Sequence, residues 1–212
     1  MKIVLLVFIF ILMKVVVNYN DYPKDDNTIN KSDSLIIDID ITLEEALIGS
    51  KITNAVRSNL TLVDVYYYSF DGVLHKGQIV IHKQLVNDII EIFSIIKKEK
   101  FPVEKVKPVS FYGWSDDLSM RDNNTSAFNY RNVKGTQKLS AHSLGRAIDI
   151  NPFLNPQLKR NKIFPEGAEY NIKKRGTITR NSFLVKAFKI RGWQWGGTWR
   201  STKDYQHFEK IY

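Results

Sequence analysis

The apolar positions of this chain fall into short runs of two kinds. β-Branched and aromatic residues crowd into residues 62–70 and 73–82, with Asp71-Gly72 between them. Two such runs around a turn dipeptide predict a β-hairpin. Leu85, Ile89, Ile92, Phe93 and Ile96 instead recur at helical spacing and end at Lys97-Lys98, which predicts a helix over residues 83–98. Thr42 followed by Glu45 has the spacing of a capping box and predicts a helix start. Residues 105–112 read as a further strand, and residues 182–190 as a short amphipathic helix ended by Gly192. Ala147-Ile148-Asp149-Ile150, with Gly145 before it, reads as a turn entering a strand, and residues 205–211 as another strand. Strands and helices mix without regular β-α alternation, which predicts an α+β fold.

The two ends of the pattern differ from the middle. Met1-Lys2, an apolar run over residues 3–13 and then Lys14 give residues 1–17 the form of a signal peptide or N-terminal membrane anchor. The alternative is a buried first strand or helix. Lys14 interrupts the run well short of the roughly 20 residues a bilayer span needs. Residues 18–34 are rich in Asn, Asp and Lys and read as a flexible linker. Residues 35–212 then form one domain, expected to be exported to the cell envelope, where it is secreted or membrane-anchored. It is expected to act as a monomer.

Composition changes this picture in two ways. The sequence holds no cysteine, so any metal must sit on His, Asp or Glu. The net charge of +9 suits an anionic partner, although its scatter along the chain equally suits solubility. No nucleic-acid motif accompanies the charge, and nucleic acid is not expected as a partner.

The candidate chemistry lies in two segments about sixty residues apart. Ser140-Ala141-His142-Ser143-Leu144-Gly145-Arg146-Ala147-Ile148-Asp149 carries an imidazole and a carboxylate. Gly196-Gly197-Thr198-Trp199, followed by Asp204-Tyr205-Gln206-His207-Phe208-Glu209, carries a second imidazole and two carboxylates. Catalytic zinc typically has three protein ligands and one open position for water. His142, Asp149 and His207 are the candidate ligands of a Zn2+ ion, and the pattern predicts a zinc hydrolase. Asp204 is the favoured general base, with an imidazole-orienting role as its alternative. Glu209 competes for the base role, because on an alternating strand it shares a face with His207. Arg131 either binds a substrate carboxylate or oxyanion, or makes a surface ion pair. Trp193 and Trp195 read as packing residues, whereas Trp199 stands close enough to the second segment to line a substrate cleft.

These segments resemble a known family, the zinc D-alanyl-D-alanine carboxypeptidases and L-alanyl-D-glutamate peptidases of bacterial cell walls. Ser140, His142, Gly145, Ala147 and Asp149 match the family's S-x-H-x-x-G-x-A-x-D pattern. Trp195, Gly196, Gly197, Trp199, Asp204 and His207 match its W-G-G-x-W and D/E-x-x-H patterns. Residues 124–131, which include Ser126 and Arg131, resemble a third segment of the family, in which an arginine faces the substrate. The resemblance implies zinc on His142, Asp149 and His207, catalysis by Asp204 and Arg131, and substrate binding by Arg131; Ser126 and Trp199 are further expected substrate contacts. It implies a peptidoglycan stem peptide as partner. It also implies a small antiparallel sheet carrying the zinc site, flanked by helices, in a fold shared with lysostaphin-type enzymes and the hedgehog signalling domain. A dipeptidase acting on free D-Ala-D-Ala and a catalytically silent cell-wall binding module are the alternatives.

Overall fold

A computed structural model describes residues 34–133 and 135–211. The expected signal or anchor over residues 1–17 and nearly all of the expected linker lie outside the described residues. No helix among the described residues is long and apolar enough to cross a membrane.

The hairpin forms where the apolar runs place it. Strand β1 (Leu35–Ile37) is followed by two one-turn helices, α1 (Leu43–Ala46) and α2 (Asn54–Arg57). Thr42 caps α1 with the capping box expected of it, its hydroxyl accepting from Glu45 N while Glu45 accepts from Thr42 N. β2 (Leu60–Tyr68) and β3 (Leu74–His82) then pair antiparallel from Leu60↔His82 to Tyr68↔Leu74. β1 adds to β3 in parallel. A 3-10 turn at Lys83–Leu85 leads into α3 (Val86–Lys98). The helix buries Ile89, Ile92, Phe93 and Ile96 against Val63, Val65, Tyr67, Ile79 and Ile81 of the hairpin. Each such side chain contributes on the order of 2 kcal/mol on burial, enough to hold the helix on the sheet.

The expected strand at 105–112 is shorter than its apolar content suggests. Only β4 (Lys105–Val106) is a strand, and Val109–Tyr112 turn into a 3-10 helix behind Pro108. Proline has no N–H for a ladder, so pairing stops before it. α4 (Asp116–Arg121) and β5 (Asn124–Thr125) follow, β5 lying parallel to β4.

The second half builds two small antiparallel sheets. β6 (Ala147–Asp149), β11 (His207–Glu209) and β9 (Gln194–Trp195) form one, with β11 in the centre. β7 (Gln157–Lys159), β8 (Lys162–Phe164) and β10 (Thr202–Asp204) form the other, with β7 in the centre. α5 (Phe183–Lys189) packs Leu184, Val185 and Phe188 into the same core as α3. Trp193 and Trp195 are buried in that core, in the packing role expected of them. The architecture is thus mixed helix and strand with several small sheets.

Candidate metal centre

Alternation along two paired strands creates the site. In the β6–β11 ladder Phe208 lies opposite Ile148, and both are fully buried in the core. The next pair, His207 opposite Asp149, must therefore point to the other face, and Glu209 shares that face with His207. Ser126 bridges the free edge of β6, its N–H donating to the Asp149 carbonyl at 3.1 Å and its carbonyl accepting from Asp149 N–H at 2.8 Å. Asp149 thus has β11 on one side and the Ser126 backbone bonded to it on the other.

His142 arrives from a turn. Residues Ala141–Leu144 form one 3-10 turn, with the Ser140 hydroxyl accepting from His142 N and Gly145 closing it at φ 63°. A Cβ at position 145 would stand 2.7 Å from His82 N, so the turn seats against the end of β3 only because glycine occupies it.

The three side chains meet. His142 Nε2 lies 3.1 Å from His207 Nδ1 and 3.3 Å from an Asp149 oxygen. His207 Nδ1 lies 2.9 Å from the other Asp149 oxygen. One donor atom from each residue falls within 4.8 Å of the others, and all three residues are buried. Donors about 2.0–2.1 Å from a tetrahedral ion are separated by roughly 3.3 Å, close to the spacing found here.

The hydrogen bonds outside this triangle fix the tautomers. The Ala127 carbonyl accepts from His142 Nδ1 at 2.5 Å, and Glu209 Oε2 accepts from His207 Nε2 at 3.2 Å. With those nitrogens protonated, the inner nitrogens present lone pairs. Two lone pairs and a carboxylate then converge on one point, which suits a cation. The charge balance has the same bias. Burial would lower the His207 pKa, but Asp149 and Glu209 outweigh it and push it up to about 10. Burial would raise Asp149, but the two imidazoles hold it well below the usual carboxylate range.

Asp204 ends β10, three residues before His207. It is buried, with Oδ2 accepting from Gln157 Nε2 and Oδ1 without a hydrogen-bond partner. Burial, reinforced by the charge of Asp149, raises its pKa against the pull of His207 and Gln157. Glu209 differs. It occupies the side of the His207 ring opposite Asp149 and His142, and its bond to His207 holds its carboxyl below the ordinary value. Arg131 stands beside the His142 turn, its N–H donating to Ser143 Oγ at 2.8 Å. Its guanidinium pairs with Asp116 at 2.8 Å, and its buried Nε has no hydrogen-bond partner. The Trp199 ring is half-buried, 5.2 Å from the His207 ring centre.

Sequence reasoning missed three contributors. Gln157 on Asp204 and Asp116 on Arg131 lie in segments without a motif, and the Ala127 carbonyl is backbone, which no residue type announces.

A buried two-histidine, one-carboxylate group beside an unspent buried carboxylate defines a centre suited to metal-assisted hydrolysis. Residues 134–210 match the family model described as D-alanyl-D-alanine carboxypeptidase, and the match supports a peptidase of that family. It spans His142, Asp149, Asp204 and His207, while Ser126 and Arg131 fall before it. No solved structure matches the chain.

Proposed function

We propose that the chain is a zinc peptidase that hydrolyses peptidoglycan stem peptides, at a D-Ala-D-Ala or an L-Ala-D-Glu bond. The observation that carries this reading is the convergence of the inner atoms of His142, Asp149 and His207, with tautomers set by Ala127 and Glu209. These three residues would hold the ion. Bound there, zinc supplies Lewis-acid polarisation of the scissile carbonyl and acidifies a water. Asp204 accepts the proton of the attacking water at its unpartnered Oδ1 and returns it to the departing amine. A carboxyl raised by burial suits both halves of that transfer. Arg131 keeps its Nε–H for a substrate carboxylate or the developing oxyanion, while Asp116 holds the far end of its guanidinium. Ser126 and Trp199 border the substrate. On this reading an export segment at residues 1–17 would carry the enzyme to its polymer.

The experiment is metal analysis of the purified protein together with mass spectrometry of digested muropeptides. One zinc per chain and release of D-alanine, or of fragments cut at L-Ala-D-Glu, are expected. Asp204→Asn should keep the zinc and lose hydrolysis by about a hundredfold or more. Zinc-loaded protein that cuts neither bond would overturn the proposal in favour of a silent wall-binding module.

A further inference from the structure

The sheet that carries Asp204 also carries cations on the same face. In the β10-β7-β8 sheet, Asp204 lies opposite Gln157, which lies opposite Phe164. Two residues along, Thr202 lies opposite Lys159, which lies opposite Lys162. Side chains two apart on a strand share a face, so the second row stands on the face of Asp204, about 7 Å away. Lys159 and Lys162 are exposed, and among the described residues neither makes an ion pair with a carboxylate. Glu166, the next acid after Lys162 in the sequence, is committed to Arg121 at 3.0 Å. Lys203, on the other face, donates to the Trp199 carbonyl. Like charges directly opposite in a sheet repel, so this pairing weakens the hairpin unless an anion lies between the two.

We propose that Lys159 and Lys162, with the Thr202 hydroxyl, form a subsite for a carboxylate of the peptide substrate one or two residues from the cleaved bond. The inference rests on the peptidase reading of the adjoining centre. The cluster is two ammonium groups wide and adjoins Asp204, which is the scale of one carboxylate; an anionic polymer would be met by a stripe of charge across the surface. An extended peptide advances about 3.3–3.6 Å per residue, so a substrate whose scissile carbonyl faces Asp204 brings a neighbouring residue over the second row. The subsite thereby sorts substrates by whether that residue carries a carboxylate or a carboxamide.

The test uses two peptides that differ only in that group, with the zinc-loaded full chain and the Lys159→Gln/Lys162→Gln double variant. Wild type should favour the acid by about tenfold or more in kcat/KM, through KM, and the preference should shrink as salt is raised. In the double variant the ratio should fall toward one. A wild type without preference, or a variant that keeps it, overturns the subsite. An unchanged ratio together with weaker cosedimentation with a phosphodiester wall polymer assigns the lysines to that polymer and also overturns it. If wild type cleaves neither peptide, the peptidase reading fails separately, and calorimetry decides the subsite. Tighter binding of the acid peptide to wild type than to the variant supports it, and equal binding overturns it.

Discussion

At the scale of single residues, the centre depends on the groups behind the donors. His207 presents Nδ1 inward because Glu209 occupies Nε2, and His142 presents Nε2 inward because the Ala127 carbonyl occupies Nδ1. Glu209→Gln keeps the shape and removes the charge. It is expected to lower zinc affinity about 10–100-fold, as loss of an outer partner to a ligand does, and chelator competition measures this. Unchanged affinity would return Glu209 to the candidates for general base. The donor triad was legible in the sequence because glycines and carboxylates flank both imidazoles at fixed spacing. The choice between Asp204 and Glu209 was less so, since Asp204 is close to His207 in the chain and alternation puts Glu209 on its face; what separates them is that Glu209 is spent on His207 Nε2 while Asp204 Oδ1 has no hydrogen-bond partner.

At the scale of elements, the position of β10 is set by Gly196 behind it. A Cβ on Gly196 would lie 2.6 Å from the Asp204 carbonyl oxygen and 2.8 Å from its Cβ. Gly196→Ala must therefore push β10 outward. The expected cost is about 1–3 kcal/mol of stability, read by denaturant unfolding. A displacement of about 1 Å at Asp204 should also cost roughly a hundredfold in turnover. Wild-type turnover in this variant would mean that β10 can shift without consequence for the reaction. The hairpin, α3 and α5 were all readable, because long apolar runs and caps speak through local spacing. The β7-β8-β10 sheet was not. Its strands are three residues each and β10 lies some forty residues beyond β7, so local pattern holds little of it.

At the scale of the whole molecule, a metal held by the three donors would compete with a proton for one buried position. In metal-free protein, His207 is held at about 10 against an ordinary value of 6.5. The folded state then binds this proton more tightly than the unfolded chain. Its stabilising contribution is complete below about pH 6.5 and is lost as pH rises through about 10. Chelator-stripped protein should thus lose melting temperature across that window by more than zinc-loaded protein, in which the ion replaces the proton. Parallel melting curves at both ends of the window would refute the competition.

The ladder between Asp149 and His207 has one more consequence. The two residues are direct neighbours in space and 58 apart in sequence. An ion held by both ties shut a loop that contains the β7-β8 hairpin, α5 and β10. The longer the loop, the more chain freedom the ion removes from the unfolded state. A chain cut within that loop, or not yet extended to β11, has at most two of the three donors in place. On the zinc reading, metal retention would work as an inspection of assembly: the ion would be kept only once the whole loop has folded back onto β6.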